Sequence, residues 1–228
     1  MAYLESLYSP ILMGNHAKML VLSCHNFALL REGRPFMSNL YHRHPGEYCA
    51  VRGTQIWIRE HLHTSGLSVP VDLERVWPVA RRIIISPDLP RAVKAASARA
   101  QHGDYIVLNT QYGALSQRFS IAHELVHLMR KHPPVESQAL FFRELIELEA
   151  NAGAAELLLP YDWFMAEAER RLGEPLDTIN ELKTYLTTAD SRRWAAAARV
   201  SRAVLGRHLI DQDWVRRRPA PIPSSVSS

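Results

Sequence analysis

Cysteine is scarce in this chain of 228 residues, and long apolar runs are absent. The two cysteines, Cys24 and Cys49, are too few for a disulfide framework in a protein of this size. No apolar stretch reaches the length of about 18 residues that a membrane-spanning helix requires. Met19 to Cys24 looks like a lipoprotein cleavage site, but the apolar run is too short for an export signal. We therefore expect a cytoplasmic protein without membrane contact.

An excess of charge of one sign is also missing. The chain has 27 basic and 23 acidic residues, and its formal net charge at pH 7 is only +4. The basic residues are nearly all arginine, and lysine is confined to Lys18, Lys94, Lys131 and Lys183. Such a balance indicates a solvated surface more often than a nucleic-acid site. Since 47% of the residues are hydrophobic, the chain can bury one core as an ordinary globular protein does.

A pattern with metal-binding chemistry is present instead, the pentapeptide H-E-x-x-H at residues 123–127. On an α-helix, His123 and His127 lie about 40° apart in azimuth and about 6 Å apart along the axis, so both imidazoles can reach one cation. Glu124 is placed beside them to take a proton from a water molecule.

The surrounding residues argue against a chance match, which has roughly a few chances in a hundred in a chain of this composition. Ile121, Leu125 and Leu128 form an apolar stripe on the helix, and the two histidines lie off that stripe. Ordinary core histidines, the alternative interpretation, would lie among the leucines. The pattern therefore favours a metal site.

A third protein ligand is expected, because catalytic zinc usually has three protein ligands and one water. The next helical pattern ends at Pro160, and Glu147 shares a face of it with Asn151. We predict that Glu147 is the ligand and that Asn151, one turn later, hydrogen-bonds a ligating imidazole. Glu149 falls on the solvated side, and it and Glu144 are the alternatives if Glu147 is only a surface carboxylate.

Two linked segments carry a family resemblance. Residues 118–128 read R-F-S-I-A-H-E-L-V-H-L, and residues 147–151 read E-L-E-A-N, followed by A-A-E-L-L-L-P at 154–160. This combination resembles the ImmA/IrrE family of bacterial and phage metallopeptidases over about residues 52–172. The resemblance implies Glu124 as catalytic base and three metal ligands: His123, His127 and Glu147. The family often has an aromatic residue after the asparagine, where this chain has Ala152-Gly153.

The expected fold is α+β, a zincin-like metallopeptidase core with a small twisted sheet, an active-site helix and a C-terminal helical subdomain. β-Branched runs predict strands at 82–86 and 105–109. The predicted organisation is an N-terminal extension of unclear role (1–50), a metallopeptidase domain (51–172), a helical subdomain (173–215) and a disordered tail (216–228).

The sequence also predicts contacts with the substrate and with the oxyanion. The strand beside the cleft is expected to bind the substrate backbone as an added strand, with Asn109 as the contact. Tyr161 and His132 are both open as the second oxyanion donor. A second metal cluster is not favoured because its spacing matches no standard finger; its members would be Cys24, His25, His42, His44 and Cys49.

The C-terminal helices around Val200-Ser201 resemble a helix-turn-helix, whose arginines would meet phosphates. These arginines are Arg192, Arg193, Arg199, Arg202 and Arg207. A helical subdomain packed on the peptidase is favoured over direct nucleic-acid binding, because base-reading Asn and Gln side chains are sparse.

The predicted function is therefore that of a metal-dependent endopeptidase that uses Zn²⁺, with Mn²⁺ as the alternative. The family resemblance implies a protein substrate, a helix-turn-helix transcriptional repressor. The alternative is a DNA-binding or partner-binding regulator whose metal site is not catalytic.

Overall fold

The chain has an α+β architecture, as predicted. The computed structural model describes residues 20–23, 45–62, 67–76, 83–100, 103–134 and 138–216. The strands in these ranges are β1 Leu20–Ser23, β2 Ile83–Ser86, β3 Ala95–Ala100 and β4 Gly103–Asn109. The helices are α1 Pro45–Leu62, α2 Leu73–Val76, α3 Ala114–Met129, α4 Leu140–Leu158, α5 Tyr161–Leu172, α6 Ile179–Thr187, α7 Ala189–Ala197 and α8 Arg202–Asp211. None of the helices in these ranges is long and apolar enough to cross a membrane.

The four strands form one mixed sheet in the order β1-β3-β4-β2. β3 and β4 are antiparallel neighbours, and β2 runs parallel to β4. The residues of β3 from Ala95 to Ala98 are small and buried, so helix α3 can lie close to the sheet. β1 pairs with the other edge of β3, from Leu20 opposite Arg99 to Ser23 opposite Ala96.

Helix α4 packs against α3, and Gly153 of α4 lies in this contact. A Cβ atom on Gly153 would lie 2.9 Å from both Cγ atoms of Val126 and 3.1 Å from Cγ2 of Thr54. Both neighbours are fully buried. The absence of a side chain at Gly153 therefore lets α1 and α3 approach α4 together.

We expect the substitution Gly153→Ala to destabilise the fold by about 1–2 kcal/mol. Overpacking against Val126 costs about 1–3 kcal/mol, and the better helix propensity of alanine returns at most about 1 kcal/mol. Gly53→Ala is the matched control, because Gly53 lies in helix α1 with no atom within 4 Å of the added Cβ. Urea unfolding should show the control unchanged or stabilised. An equal stabilisation of both variants would contradict the close contact.

The C-terminal helices share the core of the rest of the chain. Fully buried side chains of this part include Phe164, Leu182, Trp194, Leu205 and Leu209. They belong to the same hydrophobic cluster as Leu125 of α3. Arg202 donates to the carbonyl oxygen of Leu186 at 2.7 Å, and Arg207 pairs with Asp211 at 3.1 Å. These contacts favour a helical subdomain packed on the core over a DNA-reading helix; the predicted domain boundaries stay predictions.

An ion pair with a buried carboxylate links helix α1 to helix α4. Arg59 donates from Nε and Nη2 to the two carboxylate oxygens of Glu156, at 2.7 and 3.1 Å. Glu156 is fully buried and also accepts a bond from Gln212 at 2.8 Å. The arginine lies over the ring of Tyr161, 3.8 Å from its centre. Since α1 begins at Pro45, the predicted boundary at residue 50 falls within a helix.

Two predictions fall mostly on residues outside the described ranges. Of the proposed second metal cluster only Cys49 is described, as an exposed residue of α1. Of the predicted tail only Arg216 is described, and it pairs with Asp177 at 2.7 Å.

Candidate metal centre

Three side chains from two helices converge on one point. Helix α3 supplies the Nε2 atoms of His123 and His127, which lie 3.0 Å apart. Helix α4 supplies Glu147, whose Oε2 lies 3.3 Å from His123 Nε2 and whose Oε1 lies 3.6 Å from His127 Nε2. With metal–ligand distances near 2.0–2.1 Å, the edges of a zinc tetrahedron are about 3.3 Å long. The three predicted ligands therefore have the spacing that one small cation requires.

The surroundings of the cluster also fit a cation. His123 and His127 are 4% and 1% exposed, and the buried Oε1 atom of Glu147 makes no hydrogen bond within the described part of the chain. A buried carboxylate oxygen without a donor is costly unless a positive charge compensates it. A divalent cation held by two imidazoles and a carboxylate supplies that charge, and Zn²⁺ suits this set of donors.

The two imidazoles differ in their electrostatics. Burial would lower the pKa of His123, but the hydrogen bond with Glu147 and its negative charge outweigh burial, so that pKa is raised. Burial, followed by the nearby His123 and His132, holds the pKa of His127 well below its usual value. The neutral imidazole is the form that binds a metal, and burial favours this form of His127.

The imidazole rings of His123 and His127 each have a hydrogen-bond partner at Nδ1, the nitrogen that does not face the cluster. His123 Nδ1 lies 3.1 Å from the Oδ1 atom of Asn151, the position expected from the sequence. His127 Nδ1 lies 3.0 Å from Nδ1 of His132. His132 thus contacts the predicted ligand His127 on the nitrogen that does not face the cluster. The ring of Tyr161 is covered by the guanidinium group of Arg59. Neither contact supports a role as oxyanion donor.

Glu124 borders a small cavity beside the cluster. Its side chain is 1% exposed, and the cavity has a volume of about 20 Å³. This is room for about one water molecule. The other lining residues are Lys94, Ala95, Phe119, Ser120, His123 and Glu147. The predicted base Glu124, the two predicted ligands His123 and Glu147, and the start of strand β3 therefore meet around one water-sized space.

The side chain of Asn109 makes hydrogen bonds to backbone groups of the protein itself. It is fully buried at the end of β4, and its Nδ2 donates to the carbonyl oxygens of Val93 at 2.8 Å and of Leu89 and Pro90 at 3.3 Å. Its Oδ1 accepts from the backbone N–H of Gln111 at 2.9 Å. These bonds tie the loop before β3 to the end of β4. The expected contact between Asn109 and a substrate stays a prediction that they do not support.

Two imidazoles and a carboxylate that could hold one metal ion, next to a glutamate and a water-sized space, are the arrangement that a metallopeptidase requires. Comparison with protein families agrees. The family model for the IrrE N-terminal-like domain, Peptidase_M78, matches residues 81–209, which is more than half of the chain. The chain belongs to this family, and the resemblance stated from the sequence is confirmed. A search of curated proteins found no match.

Proposed function

We propose that this chain is a zinc-dependent endopeptidase with a zincin-like core. The convergence of His123, His127 and Glu147 beside Glu124 carries this proposal. Membership of a metallopeptidase family supports it and points to a protein as substrate. Mn²⁺ is the alternative metal for the same ligands.

In the proposed hydrolysis, the metal ion activates the water and the carbonyl group, and side chains of the protein transfer the proton and orient the ligands. When bound, zinc lowers the pKa of a water molecule toward about 7 and polarises the scissile carbonyl. Glu124 accepts the proton of the attacking water and can return it to the leaving amine. Asn151 orients the ring of His123 by accepting the proton of its Nδ1 atom, which directs Nε2 toward the cluster.

The substrate strand is proposed to lie along β3, since Ala95 at the start of β3 lines the cavity beside Glu124. The outer edge of β3 already pairs with β1, up to Ser23 opposite Ala96. A substrate that adds a strand there has to replace β1.

We further propose that the substrate is a helix-turn-helix transcriptional repressor. The support is the family resemblance of the two linked motifs. The alternative, a DNA-binding or partner-binding regulator with a non-catalytic metal site, is less well supported, because α8 buries Leu205, Leu209 and Ile210 in the core.

The test is the variant Glu147→Gln. It keeps the shape of the side chain but loses the charge that the cation requires, so we expect zinc affinity to fall by more than about 100-fold, beyond the effect of an outer-shell change. Cleavage of a co-expressed repressor, encoded beside this chain's gene, should be lost with the metal. Zinc is measured by competition with a chromogenic chelator, and cleavage is measured by mass spectrometry.

Glu144→Gln is the matched control, because Glu144 is exposed on the same helix about one turn earlier. Its zinc affinity and cleavage should equal those of the wild type. Unaltered zinc binding in Glu147→Gln would remove Glu147 from the ligand set. An intact repressor in cells with zinc-loaded wild type would favour the regulator instead.

A further inference from the structure

A row of three side chains leads away from the candidate metal centre, from the predicted ligand His127 through His132 to Glu149. His127 Nδ1 is 3.0 Å from His132 Nδ1, and His132 Nε2 is 3.0 Å from Oε2 of Glu149. The row is largely enclosed, since His132 is 6% exposed and the side chain of Glu149 is 18% exposed. Arg130 flanks its acidic end at 3.5 Å.

The backbone after helix α3 produces this arrangement. Lys131 adopts a left-handed conformation, with φ at 55°, which a residue with a side chain rarely adopts. The turn brings the backbone N–H of His132 to the carbonyl oxygen of His127, at 3.0 Å. The ring of His132 therefore meets that of His127 edge-on, with 5.0 Å between the ring centres and 79° between the planes.

We propose that His132 and Glu149 are positioning residues that hold His127 in the ring orientation and tautomer needed for metal binding. This inference rests on the proposed function in one respect, namely that a cation binds His127 through Nε2.

The position of each proton in the row follows from that bond. A metal on Nε2 leaves Nδ1 as the protonated nitrogen of His127, and this N–H then donates to His132 Nδ1. Because Nδ1 of His132 accepts this hydrogen bond, the proton of the His132 ring is on Nε2. The Nε2–H group then donates to the carboxylate of Glu149. The row ends on a negative charge that Arg130 partly balances. Glu149, assigned to the solvated face from the sequence, thus acts on the metal through His132.

The expected effect is on metal affinity. An outer hydrogen-bond partner of a ligating histidine fixes its ring and raises its basicity, and loss of such a partner costs about 10–100-fold in affinity. His132→Phe should therefore weaken zinc binding by about 10–100-fold. Glu149→Gln should have a smaller effect, because its amide oxygen still accepts from His132 Nε2.

The matched control is His208→Phe. His208 is also fully buried, burial lowers its pKa to about 3 so that it is neutral, and it packs edge-on against Phe164 at 4.5 Å. Its loss should leave zinc affinity unchanged, whatever it does to stability. Thermal unfolding of each metal-free variant separates an effect on folding from an effect on the site.

The experiment uses the full chain and has two measurements. Chelator competition gives the zinc affinity of wild type, His132→Phe, Glu149→Gln and His208→Phe. NMR of the zinc-loaded wild type, with ¹⁵N-labelled histidine, should show the proton of His132 on Nε2, where it faces Glu149, and none on Nδ1. The NMR measurement requires no variant and holds even where His132→Phe does not fold.

The possible failures are distinguishable. Unchanged zinc affinity in His132→Phe, or a proton on Nδ1 of His132, overturns the positioning role while zinc binding by the wild type still supports the metal site. A wild type that binds no divalent metal overturns both proposals. A wild type that binds zinc but cleaves no peptide overturns the peptidase proposal, and the affinity loss in His132→Phe still supports the row.

Discussion

Replacing Glu124 with glutamine is expected to reduce peptide hydrolysis by about 10²–10⁴-fold while the zinc content stays at the wild-type level. Glu124 lies between the two histidines in sequence but is not part of the ligand cluster. Its side chain is 1% exposed beside a cavity that has room for about one water molecule. Glutamine fills the same space but cannot take a proton at neutral pH.

The measurement pairs zinc content with cleavage of the co-expressed repressor. Together with Glu147→Gln it separates two kinds of loss, since one variant keeps the metal and the other does not. Unchanged cleavage by Glu124→Gln would refute the assigned base. Loss of zinc along with cleavage would mean that Glu124 holds the metal site together instead.

Arg59→Leu is expected to lower the free energy of unfolding by about 3–5 kcal/mol, because it leaves an uncompensated carboxylate in the core. Glu156 is fully buried, and both of its oxygens accept bonds from Arg59. Burial raises the pKa of Glu156 even with its partners present. A folded-state pKa above the unfolded one means that the folded chain gains stability as the pH falls. The penalty of Arg59→Leu should therefore shrink toward acidic pH.

Urea unfolding at several pH values measures this effect, and Arg170→Ala is its control. Arg170 pairs with Glu167 on the surface at 2.7 Å, with its side chain 59% exposed, so solvent screens the pair and its loss should have little effect on stability. Adding Glu156→Gln to Arg59→Leu should restore part of the loss by removing the charge. An equally small effect of Arg59→Leu and Arg170→Ala would contradict the buried pair.

The two halves of the candidate centre could be predicted because each half is local to one helix. His123 and His127 are one helical turn apart, and so are Glu147 and Asn151, so the helical period alone puts each pair on one face. The place of His132 could not be predicted in this way. It depends on the left-handed turn at Lys131, which no periodic pattern encodes.

In the sheet, too, some strands could be predicted from the sequence and one could not. β2 and β4 are rich in β-branched or aromatic residues and lie close to their predicted ranges. β3 reads A-A-S-A-R-A, which has no strand signal of its own. It is a strand because β4 pairs with it and because its small side chains leave room for α3. Tertiary contacts, and not local propensity, decide its conformation.

Helix α1 lies before residue 81, where the family match begins, yet its Thr54 and Arg59 touch the helix that carries Glu147. A polypeptide trimmed to the matched segment would expose the carboxylate of Glu156 and uncover one side of Gly153. An exchange of peptidase domains between relatives would have to transfer α1 as well. The segment needed for a stable fold is therefore longer than the segment that the family model matches.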